Sequence, residues 1–277
     1  MIISDLHGPP AGTSLLDCDV RDGQYAVLVD RGDSQLVQFN EWTCSLPPHR
    51  YCSDIRLVNT TTVVALNNAT RGEPNALLIK HSVGIVGEFT AGDNIMDVVV
   101  VGDLIAVTYG DEGIFGKVEP SPEGIAIFSL NGDFLWGYHT ALGGPERGQI
   151  WDCYCACEGP DGRLWFKSYG TLPLVGLDCR TRTQKLVDTP KAVSNARALS
   201  TDGSSFWFFS PSIDASSPRD QYGFIDYSLI KWSLIKWTAG SRNADHVGEF
   251  EGRPRGLPGG SFIMVSRSGY RLLQVAA

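Results

Sequence analysis

Apolar residues along this chain fall into short runs that alternate or cluster with the period of strands. "YAVLVD" (25–30), "TTVVALNN" (61–68), "DLIAVTYG" (103–110), "RLWFKSYG" (163–170), "SFWFFSPS" (205–212) and "SFIMVSRS" (261–268) are β-branched or aromatic and end in polar or Gly-rich turn residues. No segment carries the 3.6-residue stripe of a helix of ordinary length.

Aligning the runs exposes a repeat. A shorter strand precedes each run: "LLDCDVRDG" (15–23), "CSDIRLVNT" (52–60), "IMDVVVVGD" (95–103), "IWDCYCACEGPDG" (150–162), "NARALSTDG" (195–203) and the degenerate "RPRGLPGG" (253–260). A third strand follows each, and several copies add a fourth, such as "GIVGEF" (84–89), "DFLWGYH" (133–139) and "DHVGEF" (245–250). The anchor positions Asp17, Asp54, Asp97, Asp152, Arg197 and Arg255 are spaced by 37, 43, 55, 45 and 58 residues. Four strands in about 40–50 residues is the period of a propeller blade. The expected fold is therefore all-β, a six-bladed β-propeller of four-stranded antiparallel blades, with residues 1–277 forming one domain. The last copy lacks a fourth strand, and residues 2–7 are expected to supply it, closing the ring and covering a sheet edge.

On these repeats the chain resembles the broad six-bladed propeller superfamily that includes NHL-repeat proteins, strictosidine-synthase-like proteins and the SMP-30/gluconolactonase group. The resemblance implies architecture, since one fold hosts many functions. "EGPDG" (158–162) is similar to the Glu-Gly-Pro segment whose Glu binds metal in the gluconolactonase group. Here, however, Glu158 falls in the turn between first and second strands, at the end of the tunnel opposite the anchors, and the metal role is not carried over.

In a propeller the first strands line the central tunnel, so their starts converge at one mouth. Asp17, Asp54, Asp97, Asp152, Arg197 and Arg255 are the candidate ligand-binding residues there, with His49 and Trp151 in the turns just ahead of Asp54 and Asp152. Two readings of the repeated Asp stand side by side. Asp54, Asp97 and Asp152 could hold Ca²⁺, which takes oxygen ligands; or each Asp accepts backbone N–H bonds at its own turn. His139, Glu146 and Arg147 add a base and anion-binding groups. Cys153, Cys155 and Cys157 fall on one strand face by alternation and read as buried small hydrophobes.

The formal charge of −8 opposes nucleic acid or anionic membrane as partner. No stretch has the length of a membrane span. Seven cysteines without a signal-like N-terminus point to reduced thiols in the cytoplasm. The expected function is binding of a small ligand or protein partner at the loop-rimmed mouth. The alternative is a metal-dependent hydrolase or lactonase resembling the gluconolactonase group. Finally, "SLIKWSLIKW" (228–237) repeats five residues. An odd insertion reverses which sheet face each side chain meets. The second copy is thus expected to form the third strand of blade five, with the first copy absorbed by a bulge or in the preceding loop.

Overall fold

The structure is a computed structural model and describes residues 2–6, 12–70, 73–142, 150–170, 172–212, 217, 230–266 and 269–275. Glu146, Arg147, Ser228 and Leu229 lie outside them.

Six four-stranded antiparallel sheets form a ring. Blade one is β1's successor group: β1 (Ile2–Leu6) stands apart in sequence, and β2 (Ser14–Arg21), β3 (Gln24–Asp30), β4 (Gln35–Phe39) and β5 (Trp42–Ser45) make the sheet. Blade two is β6 (Asp54–Asn59), β7 (Thr62–Leu66), β8 (Ala76–Lys80) and β9 (Gly84–Phe89). Blade three is β10 (Ile95–Val101), β11 (Leu104–Tyr109), β12 (Ile125–Ser129) and β13 (Phe134–Gly137). Blade four is β14 (Cys153–Glu158), β15 (Leu164–Ser168), β16 (Leu174–Leu177) and β17 (Gln184–Val187). Blade five is β18 (Ala198–Thr201), β19 (Phe206–Pro211), β20 (Lys231–Trp237) and β21 (Asp245–Glu251). In blade six, β22 (Arg253–Leu257), β23 (Ser261–Ser266) and β24 (Gly269–Gln274) are completed by β1, with Ile2 opposite Gln274 and Leu6 opposite Tyr270. The N-terminal strand thus closes the ring as the repeat count required.

Burial explains the sequence pattern. The second strand of blade four, "LWFKS" (β15), is buried along its whole length, because each blade is sandwiched between two others. The outer strand of blade five, β21, is exposed or half-buried throughout. The apolar clusters sit between blades. Leu15, Cys18 and Val27 of blade one, for instance, pack on Leu257, Ile263 and Tyr270 of blade six, which seals the closure. Turn chemistry follows the same logic: Asp22 and Gly23 both adopt positive φ between β2 and β3, the tight hairpin geometry that Asp-Gly favours.

Two short helices lie in the loops of blade three: α1 (Asp111–Ile114) and α2 (Tyr138–Leu142). The fourth strand of that blade therefore ends at Gly137, and Tyr138 and His139 are helical instead of extended.

The doubled pentapeptide resolves differently from expectation. β20 is one continuous strand against β19, from Phe206 opposite Trp237 to Pro211 opposite Trp232, so residues of both copies occupy it. The odd offset does place Trp232 and Trp237 on opposite faces, and both are buried. Trp232 packs with Phe209, Phe262 and Met264 toward blade six, and Trp237 with Trp165, Phe206 and Phe208 toward blade four. A blade has two dry faces, so a flipped copy is still buried. The irregularity falls on the other side of the strand, where β21 carries an extra residue between the partners of Leu234 and Ile235.

Candidate functional site

Asp17 is fully buried at the centre of a charge network between blades six, one and two. Arg255 Nη1 lies 3.0 and 2.9 Å from its two carboxylate oxygens, Arg56 Nη1 is 2.6 Å from Oδ2, and the Ile55 N–H donates to Oδ2 at 3.0 Å. Burial alone would raise the Asp17 carboxyl, but Arg255, Arg56 and Arg253 outweigh it and hold it at about 2. Asp19 repeats the arrangement two residues on: it accepts the Leu57 N–H at 2.7 Å and pairs with Arg255 Nη2 at 3.0 Å. In blade three, Asp97 accepts the Ala156 N–H of blade four at 3.2 Å. These carboxylates thus satisfy the open inner edge of the next blade's first strand. Asp97 also accepts the N–H of its own neighbour Val98 at 2.9 Å, so the local acceptance that one of the two sequence readings supposed is present there beside the bond to the next blade. The edge is where a propeller leaves N–H groups unpaired, and burying them unpartnered would be costly.

Arg56 binds this set together. Its Nε donates to Val98 O at 2.9 Å, and its Nη2 stands 3.5 Å from Asp97 and 3.9 Å from Asp54. A guanidinium therefore occupies the space between two of the three carboxylates proposed to hold Ca²⁺. Among the described residues no group of three or more His, Cys, Asp or Glu side chains is placed to hold a metal ion. Asp54, Asp97 and Asp152 do not fit that role.

A cavity of about 390 Å³ opens at this end of the tunnel. Asp17, Asp54, Asp97, Arg197 and Arg255, five of the six anchors, line it. Arg56 and Arg253 line it too, as do Met96, Tyr154, Trp232, Pro254 and Val265. The lining therefore carries three carboxylates and four guanidiniums. The anchors alone would have made the mouth acidic; Arg56 and Arg253, outside the repeat register, offset that acidity. Arg253 is the most accessible of them, its side chain half exposed and its pairings to Asp17 and Asp54 long, at 3.4 and 3.8 Å. Burial also raises the Asp97 carboxyl, against the pull of Arg56 and the Ala156 N–H.

Asp152 lies apart from the cavity. Bulges explain why. Pairing shifts by one residue at Leu16 in blade one, Met96 in blade three and Tyr154 in blade four. Matching the bulges makes Asp17, Asp97 and Cys155 equivalent, and puts Asp152 ahead of its strand, level with Asn94. Asp152 is 6% exposed, and its Oδ1 has no hydrogen-bond partner among the described residues. Burial and the neighbouring Asp111 charge raise its carboxyl to about 7, against the pull of Arg197. The Tyr154 bulge also splits the cysteine run: Cys153 packs toward blade three, Cys155 and Cys157 toward blade five. They do not share one face, though all three are buried, and burial raises every one of the three thiols.

His49 is exposed and lines a separate cavity of about 580 Å³ with Arg50, Tyr51 and Thr70. Trp151 is 61% exposed on the rim. His139 is occupied structurally: one ring nitrogen is 2.7 Å from Pro122 O, and the other accepts the Ile150 N–H at 3.1 Å. At the opposite end of the tunnel Glu158 pairs with Arg21 at 2.9 Å and accepts the Gly102 N–H at 2.8 Å, leaving a cavity of only about 40 Å³.

No protein-family model matches this chain, and neither does any curated protein. Solved structures match in fold. A streptogramin B lyase is 12% identical with a TM-score of 0.53, covering 98% of this chain and 96% of that one. The WD40 repeats of RRP9 are 8% identical with a TM-score of 0.55, covering 98% and 97%. YCF48 bound to D1 peptide is 9% identical with a TM-score of 0.53, covering 95% and 78%. At such identities the likeness is one of architecture: the chain is a β-propeller among propellers of varied function.

Proposed function

We propose that this protein is a binding propeller whose tunnel mouth takes a small organic anion, a carboxylate or phosphate. The observation that carries this reading is Arg253, half exposed in the cavity lining with only long pairings to Asp17 and Asp54 at 3.4 and 3.8 Å, beside Arg197 in the same wall. Arg253 and Arg197 would meet the anionic group, and Asp54, whose side chain is one-fifth exposed, would accept from a hydroxyl or amine on the same ligand. Met96, Pro254 and Val265 provide apolar wall. Arg56 and Arg255 are consumed by Asp17 and Asp19 and act as scaffold. A pocket of a few hundred Å³ with few convergent polar groups suits a small molecule.

Titration calorimetry of the intact protein with acetate, benzoate and inorganic phosphate tests this. Binding of at least one is expected, weakened about tenfold or more in Arg253→Ala, the scale of one lost charge-assisted contact. Absence of binding by all three sinks the reading.

A further inference from the structure

The rim of blade four presents two large aromatic side chains to solvent, Tyr169 at 55% and Trp151 at 61% exposure. Single exposed aromatics are ordinary. What distinguishes these is how firmly the chain holds the segment bearing Tyr169. The Tyr169 N–H donates to Asp152 O at 2.9 Å, next to Trp151. Lys167, 1% exposed, spends its Nζ on the carbonyls on either side, Ser168 O and Gly170 O, both at 2.8 Å. The Gly170 N–H in turn reaches Ser194 O at 3.3 Å. Burying an ammonium is costly, and burial lowers the Lys167 pKa accordingly. Here that cost fixes a surface loop whose outward product is a tyrosine ring.

The ring is continuous with the cavity. Tyr154 lines the cavity and meets Tyr169 edge-to-face, with centroids 6.0 Å apart and planes at 88°. The Arg197 guanidinium lies 3.1 Å from the Tyr154 centroid. Aromatic surface therefore begins one ring away from a cationic group of the mouth. Rigid aromatic side chains next to fixed charge are the ingredients of a preorganised subsite.

We propose that Tyr169 and Trp151 form an aromatic subsite that takes a flat ring of the bound anion, so that the ligand is an aryl carboxylate or aryl phosphate. This rests on the anion site proposed above and deepens it. The anionic group sits between Arg197 and Arg253, and the aryl group extends over Tyr154 toward blade four.

The test compares benzoate and phenyl phosphate with acetate and inorganic phosphate by calorimetry on the intact protein. The wild type is expected to bind each aryl anion more tightly than its simple counterpart. Tyr169→Ala and Trp151→Ala should each weaken the aryl anions about fivefold and leave acetate and phosphate unchanged, the scale of one aromatic contact. Tyr169→Phe should retain wild-type affinity. Arg253→Ala should weaken all four. If the alanine variants, with unchanged melting temperature, leave the aryl preference intact, or lower all four affinities alike, the aromatic subsite falls while the anion site stands. If the wild type binds none of the four, both fall together.

Discussion

Asp17 and Asp152 were matched by the repeat, and the tertiary structure treats them in opposite ways. Asp17 is over-partnered: three arginines and a backbone N–H converge on it, and it stays ionised despite complete burial. Asp152 is under-partnered: it is nearly as buried, yet one oxygen has no partner among the described residues and its carboxyl is pushed to about 7. The first is what an interlock between blades needs. The second is a buried carboxyl with a raised pKa, the kind of group that collects near functional surfaces, and it lies beside the aromatic rim. The same side chain in nominally the same repeat slot thus marks scaffold in one blade and a rim in another.

Removing the charge at the interlock should have the largest effect. Asp17→Asn leaves Arg56 and Arg255 buried without their shared counter-ion, so a loss of about 3–5 kcal/mol is expected by denaturant titration. A loss below 1 kcal/mol would show that the arginines find other partners and that the network does not hold the ring.

The two carboxylates should also give opposite pH slopes. Asp17 falls from its ordinary 3.8 to about 2, so its contribution is present above pH 4 and lost as pH drops toward 2. Asp152 rises from 3.8 to about 7, so its contribution is complete below pH 4 and is lost as pH climbs through 7. Asp152→Asn should therefore flatten the decline between pH 4 and 8, and at pH 8 should be more stable than the wild type by about 2 kcal/mol, within the 1.4 kcal/mol per pKa unit that linkage allows. Unchanged melting profiles across that range would show that Asp152 titrates normally.

Deleting residues 228–232 slides Tyr227 into the place of Trp232 in β20. Since Trp232 is 3% exposed between blades five and six, a cost of about 2 kcal/mol with retained folding is expected from thermal melts. Loss of all soluble protein would mean that both copies are indispensable to the blade. Tyr169→Ala sits at the small end: exposed and outside the core, it should shift stability by no more than about 0.5 kcal/mol, which is what allows it to report on binding.

The chain's alternation and its repeat of about 40–50 residues determined the blade count, the strand order and the closing strand, because every blade must bury two faces against its neighbours and the period of apolar runs records that demand directly. The convergence of Asp17, Asp54, Asp97, Arg197 and Arg255 followed from the same count. Tertiary structure alone decided the rest. Bulges at Leu16, Met96 and Tyr154 add a residue without changing the apolar pattern, so they shifted Asp152 out of the ring and turned Cys153 away from Cys155 without leaving a mark in the sequence. Arg56 and Arg253 stand off the repeat position, and only the closure of blades six, one and two brings them onto Asp17. The charge balance of the mouth depends on that closure, since charge at a point is a sum over residues distant in sequence and no local pattern encodes it.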